Sequence, residues 1–324
     1  MTEPDQRNPA CEIRAVAWPG PADVERVALG MRRRTLETVI RRRGGYLIQT
    51  CSSAEILATL CLALSSRGHD PNSSTSGRPR RHSAGSVYLN QADSTDHRLV
   101  ASPAHYALAL YTAFVEIGRL PESALDAYGN PDSPLELIGA DYSPGFEVVG
   151  GSLGQGLSQA VGIALGRRRH GDSGRTFVLL SDGEMQEGQT WEAVQAARHH
   201  EVTSLTIVID ANGQQIDGDI GSVMAIEQIE ERLAAFGADV TVVDGHDVPR
   251  LTEALSRKPT DRPPVIVART NPAQHIEPIS GLAPRRRHGL WFTSDPELTP
   301  FIDALVALTS TEERNTRGPC AEAV

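Results

Sequence analysis

The sequence predicts an α/β fold in which helices cover both faces of a parallel sheet, and three observations predict it. Short apolar runs rich in β-branched residues stand at 176–180 (TFVLL) and 205–209 (LTIVI), the composition of strands buried on both faces. Between them, 188–200 carries Ala and Glu with apolar residues at helical spacing, so the unit reads strand, loop, helix, strand. Polar residues follow each run directly, SDGEMQEG from Ser181 and DANG from Asp210, at the sheet edge where ligands bind in open parallel sheets.

The remaining elements follow in chain order. Apolar spacing predicts a helix over 54–64. The stretch 67–96 is a polar insert with too little apolar content to pack alone. A segment bearing His105 comes next, and then the Gly-rich loop 150–156 (GGSLGQG) opens a helix over 157–168. That loop has two readings, an anion site at a helix N-terminus or a tight turn. Beyond the central unit, runs at 240–243 and 265–268 continue the strands, alternating with helices over 226–236 and 247–256. There is no internal repeat, and the motifs occupy one sheet, so the expected division is a tail over 1–22, a single domain over 23–307 and a C-terminal tail over 308–324.

An Asp just past one strand and an Asn just past the next suit a divalent metal held on a diphosphate. The diphosphate needs backbone N–H donors and a counter-cation, and Gly183 lets the main chain approach without a Cβ in the way. Magnesium takes hard oxygen ligands in an octahedron, one or two from the protein and the rest from phosphates and water. Asp182 supplies a charged oxygen, Asn212 a neutral one, and a backbone carbonyl near Gln214 a third. An Asp-Gly after a strand also makes a plain turn. The Asn thirty positions later, past a second strand, favours a site.

This pattern resembles the thiamine diphosphate signature, and its surroundings resemble the transketolase family over about 27–289. The segments that carry the likeness are SPGFEVVGGSLGQG from Ser143, EGQTWEA from Glu187, NGQQIDG from Asn212 and VDGHD from Val243. The resemblance implies thiamine diphosphate with Mg2+, or Ca2+ or Mn2+, as cofactors. It implies Asp182, Asn212 and the Gln214 carbonyl as metal ligands, and Gly183 with the backbone of Glu184 as diphosphate contacts. Gly151, Ser152, Leu153 and Gly154 would meet the cofactor, the Leu153 side chain lying against it. His105 and His288 match family histidines at the cofactor and the reacting groups. Glu187 and Glu192 match carboxylates near a subunit contact, in a network reaching an activating Glu of a partner domain.

Departures accompany the matches. Ser181 replaces the first Gly of the signature. Tyr46, in GGYLI from Gly44, stands where the family has a substrate-contacting His, and Ala140-Asp141-Tyr142 stand near where a second is missing. The segment GGYLIQTCSSAEI also resembles the first component of homodimeric pyruvate dehydrogenase. Complete transketolases continue into a pyrimidine-binding domain, and this sequence stops before one. The resemblance therefore implies the N-terminal half of a split transketolase, moving a two-carbon ketol unit from a ketose to an aldehyde. It would be active only with a C-terminal subunit that carries the pyrimidine-binding domain, most simply as α2β2. The alternatives are a 2-oxoacid dehydrogenase-like or specialised-metabolism subunit loading a carrier, and a catalytically silent regulatory subunit.

Composition sets the outer limits. At 40% hydrophobic and 22% charged residues this is an ordinary globular chain, and a net charge of −10 argues against nucleic acid as the main partner. The Arg triplets at 32–34, 41–43, 167–169 and 285–287 read mostly as solvated helix faces, the last adjoining His288. Four cysteines without metal spacing point to a reduced, cytoplasmic protein. No run approaches membrane length and no leader opens the chain, so no membrane is expected. His199 and His200 read as a helix end, and His170, His246 and His275 receive no role.

Overall fold

The computed structural model describes residues 13–65 and 97–317. Helices α1 (Pro21–Arg42) and α2 (Ile48–Ser65) come first. Strand β1 (Arg98–Ala101), helix α3 (Ala107–Glu116) and helix α4 (Gln155–Arg169) follow. The central unit is β2 (Thr176–Ser181), α5 (Gly188–His199) and β3 (Leu205–Ala211). Then come α6 (Ile229–Ala235), β4 (Asp239–Asp244), α7 (Val248–Ser256), β5 (Pro264–Arg269) and α8 (Asp295–Arg317).

The five strands form one parallel sheet in the order β1-β2-β3-β5-β4. Every residue of β2 and β3 is buried, and the period of two along a strand divides them between two cores. Phe177, Leu179, Val208 and Ile266 face a cluster with α1, α2, α3 and α7. Val178, Leu180, Ile207, Ile209 and Val267 face a second with α4, α5 and α6. Burial on both faces is what made these strands legible as continuous apolar runs. In register, Ser181 lies beside Asp210, so the loops after β2 and β3 emerge side by side at one sheet edge.

Several expectations change. The tail expected from 308 is helical through Arg317, because Leu298, Phe301 and Leu308 bury one face of α8 against the first core. At the other end, Arg14 N–H donates to the Ser173 carbonyl at 2.7 Å and Trp18 packs edge-on against Phe177. The chain is therefore fixed from well before residue 23. The insert over 67–96 and residues 1–12 lie outside the described residues. One helix, Ile48–Ser65, does have the length and hydropathy of a membrane span, but 83% of it is buried inside this domain.

Arg41, Arg43, Arg168, Arg169, Arg285 and Arg286 are exposed, as expected of most of the Arg triplets, but the triplet 32–34 is packed. Arg32 is buried and grips Glu55 of α2 through both nitrogens, at 2.6 and 2.7 Å, and the Cys51 carbonyl at 2.7 Å. Arg33 pairs with Glu312 and Arg34 with Glu116, so α1 is a packed helix whose charges meet partners on α8 and α3. His246 Nδ1 lies 2.9 Å from Glu55, and its Nε2 accepts the Asn271 N–H at 2.8 Å. Burial alone would raise the Glu55 pKa, but hydrogen bonds and charge from His246 and Arg32 overcome it and hold the carboxyl at about 2. That role for His246 had no sequence signal.

Candidate functional site

β2 ends at Ser181, and a short 3-10 turn, Asp182–Gln186, begins immediately. Ser181 and Glu184 close it as a reciprocal capping box, the Glu184 carboxylate accepting the Ser181 N–H at 3.0 Å. The hydroxyl at the position of the signature's first Gly is thus used inside the turn. The same carboxylate accepts Ser102 Oγ, at the end of β1, and the Gly154 N–H at 2.9 Å. Glu184 therefore ties the Gly-rich loop, β1 and β2 together. The Gly154 amide, expected to face the cofactor, is spent on this bond.

The glycines of the loop divide by task. A Cβ on Gly150 would stand 2.5 Å from the Ser102 carbonyl oxygen, and one on Gly156 would stand 2.7 Å from the Ser102 Cα. Gly154 has φ +79°. Gly150 and Gly156 let the loop lie on Ser102 after β1, and Gly154 lets it lie on the start of α5. Gly151 and Ser152 are exposed, Leu153 is half-buried, and nothing stands within 4 Å of a Cβ built on Gly151. Gly156→Ala is expected to cost about 1–3 kcal/mol through overpacking against backbone. Gly162→Ala, in open space on the same helix, is expected to gain roughly 0.5–1 kcal/mol. Thermal unfolding of the two variants checks the contrast.

Asp182 and Asn212 stand at the ends of adjacent central strands. Asp182 Oδ2 accepts the Gly213 N–H at 2.6 Å, while its Oδ1 is buried with no partner. Burial pushes this carboxyl up to about 7, opposed by the Gly213 amide and reinforced by the nearby Asp210. Asn212 Oδ1 accepts the Gln214 N–H at 2.9 Å. The backbone around them is open, with no atom within 4 Å of a Cβ on Gly213 and none closer than 3.9 Å at Gly183. A buried carboxylate oxygen without a donor, an amide oxygen and uncovered glycine backbone fit a divalent ion carrying a diphosphate.

A second cluster is made of rings. Gly44 and Gly45 pair antiparallel with Trp291 and Leu290, which brings Tyr46 next to His288. The Tyr46 ring lies 5.9 Å from both His105 and His288, and the two histidines are 4.9 Å apart. Burial and the neighbouring His288 push His105 down to about 3, and burial lowers His288. Burial also raises Tyr46, so all three are neutral near pH 7. His288 Nδ1 is buried without a partner. Residues Ser102–Tyr106 join the two clusters: Ser102 meets Glu184, His105 meets Tyr46 and His288, and the Tyr106 hydroxyl donates to Asp210 at 2.7 Å.

Glu187 and Glu192 are exposed. Glu187 sits between the 3-10 turn and α5, with its Cβ beside Gly154. His199 closes α5, as its position suggested.

The family model described as "Transketolase, thiamine diphosphate binding domain" matches residues 97–274. This chain belongs to the transketolase family. The matched region runs from the start of β1 past β5, so the Gly-rich loop, Asp182 and Asn212 lie inside the family's thiamine diphosphate binding domain, while Tyr46 and His288 lie outside it. The chain is 39% identical over 183 residues to a putative uncharacterized transketolase family protein, y4mO, of Sinorhizobium fredii, covering 55% of this chain and 66% of that one. It is 30% identical over 252 residues to the 6-deoxy-6-sulfo-D-fructose transketolase subunit SqwG of a Clostridium species, covering 76% and 84%. An apulose-4-phosphate transketolase subunit of Actinobacillus succinogenes is 32% identical over 184 residues, covering 56% and 67%. In fold, the chain is similar to the transketolase of Campylobacter jejuni, with a TM-score of 0.68 at 20% identity, covering 92% of this chain and 48% of that one. It thus spans about half of the solved transketolase it matches.

Proposed function

We propose that this chain is the diphosphate-binding subunit of a two-component transketolase that moves a two-carbon ketol unit between a ketose and an aldehyde. The observation that carries the proposal is the unpartnered Asp182 oxygen beside Asn212 and open glycine backbone, one short segment from a cluster of Tyr46, His105 and His288. Asp182, Asn212 and the Gln214 carbonyl would hold Mg2+, or Ca2+ or Mn2+, and Gly183 with the Glu184 backbone would meet the diphosphate. Gly151, Ser152 and Leu153 would face the rest of the cofactor. When bound, thiamine diphosphate supplies the nucleophilic carbon that carries the two-carbon unit. His105, His288 and Tyr46, all neutral, would give and accept hydrogen bonds at the substrate's hydroxyls and carbonyl and move protons there.

Two relatives are named as transketolase subunits, which supports a partner. That partner would bring the pyrimidine-binding domain and the activating Glu, in an α2β2 assembly whose network reaches Glu187 and Glu192. Free, buried Cys51 and Cys61 accord with a reducing cytoplasmic setting.

A second reading, decarboxylation of a 2-oxoacid, is favoured by Tyr46 and the GGYLIQ segment. Tyr46→His separates the two. A ketol transferase should retain or gain turnover with ketose phosphates in this variant, measured with the partner present. Loss with every ketose, alongside retained 2-oxoacid turnover, would favour the decarboxylase.

A further inference from the structure

Asp210 is fully buried near the end of β3, and sequence reasoning gave it no role. Its Oδ2 accepts Ser52 Oγ of α2 at 2.6 Å, the Tyr106 hydroxyl at 2.7 Å and the Asn212 Nδ2 at 3.2 Å. Its Oδ1 accepts Thr270 Oγ1, just past β5. All four partners are uncharged donors. They lie as far as 158 positions from Asp210 in sequence, and all of them converge on one carboxylate.

We propose that Asp210 is a positioning residue that turns the Asn212 carboxamide so that its oxygen faces the ion and its nitrogen faces the interior. The proposal rests on the metal-diphosphate reading above. The chemistry leaves Asn212 one orientation: the Gln214 N–H can only donate, so it requires Oδ1, and a carboxylate can only accept, so it requires Nδ2. Oδ1 keeps a lone pair beyond the one Gln214 uses. An anion behind the amide nitrogen also pushes electron density toward Oδ1, making a neutral ligand more negative and better suited to magnesium. Anchoring by Ser52, Tyr106 and Thr270 holds the carboxylate in place. Supporting residues of this kind, one bond removed from the ion, typically change metal affinity about 10- to 100-fold when replaced.

The test uses the full chain and two titrations: Mn2+ in the presence of saturating thiamine diphosphate, followed by electron paramagnetic resonance, and thiamine diphosphate with metal chelated, followed by calorimetry. Asp210→Asn should raise the Mn2+ dissociation constant about 10- to 100-fold and leave the metal-free titration as in wild type. A purely structural role would weaken both titrations together, and that outcome overturns the proposal. Tyr106→Phe and Ser52→Ala keep the carboxylate and each remove one anchor together with a hydroxyl that accepts from Asn212 Nδ2, at 3.2 and 3.4 Å, so their loss should be smaller and again confined to Mn2+. If Asp210→Asn does not fold, these two decide, and wild-type Mn2+ affinity in the folded Ser52→Ala/Tyr106→Phe double variant overturns the proposal. A wild-type chain whose thiamine diphosphate binding ignores metal would instead overturn the metal reading itself, and this inference with it.

Discussion

Asp182→Asn is expected to abolish metal-dependent thiamine diphosphate binding and, at the same time, to stabilise the unliganded chain above neutral pH. The two effects share a cause. Asp182 holds one oxygen against the Gly213 amide and leaves the other buried without a donor, and its carboxyl titrates at about 7 instead of 3.8. Between those values the folded chain binds a proton that the unfolded chain does not, so this group's contribution to stability is present at low pH and lost as pH rises through 7. Asn keeps an acceptor for Gly213 and removes the buried charge, so the variant should melt above wild type at pH 8 and converge with it near pH 4. Saturating Mg2+ and thiamine diphosphate should reverse the order at pH 8, because only wild type can compensate its charge with the ion. Asp182→Ala and Asn212→Ala should lose metal-dependent affinity by more than about 100-fold, beyond the usual effect of losing a merely supporting residue. Unfolding curves at the two pH values and calorimetry check both halves. A variant that is less stable at pH 8 and binds as wild type would remove Asp182 from the site.

The parts of this molecule legible in the sequence were those whose signal is local. β2, β3 and β5 are short runs covered on both faces, and their apolar content shows directly; β4, an edge strand with Val242 exposed, shows through its β-branched run Val240–Val243. β1 was missed because four residues, Arg98–Ala101, beside a polar stretch carry too little pattern. The end of α8, from 308, was read as a tail because its polar face masks the buried residues, which are spaced wide apart. In the site, Asp182 and Asn212 stood out as polar residues directly after buried strands. Ser52, Ser102, Tyr106 and Thr270 did not, since each acts through one hydrogen bond to a residue far off in sequence, and nothing in the composition around it marks the partner. Glu184 was credited for its backbone alone, whereas its side chain holds the Gly-rich loop.

Ketol transfer is expected only when this chain is mixed with a subunit that carries a pyrimidine-binding domain. On the proposed reading the described residues would hold the metal and diphosphate alone, and Gly151, Ser152, Glu187 and Glu192 are exposed. Apolar side chains nearby are also uncovered: Val149 is 59% exposed, Ile216 67%, Met224 58% and Trp291 54%. Each lies within three residues of the loop, Gln214 or His288, or one hydrogen bond from the 3-10 turn through Gln186. Exposed apolar surface beside a candidate site marks an interaction face, and permanent interfaces bury roughly 2,000 Å² or more. The most direct measurement is turnover of a ketose donor and an aldehyde acceptor, with Mg2+ and thiamine diphosphate, by the purified chain alone, by the partner alone and by the mixture, with the mass of the mixture determined in parallel. The predicted result is activity in the mixture only, carried by a complex of about twice the summed masses, as an α2β2 assembly requires. Robust turnover by this chain alone, or a mixture that neither associates nor reacts with any ketose, would contradict the account.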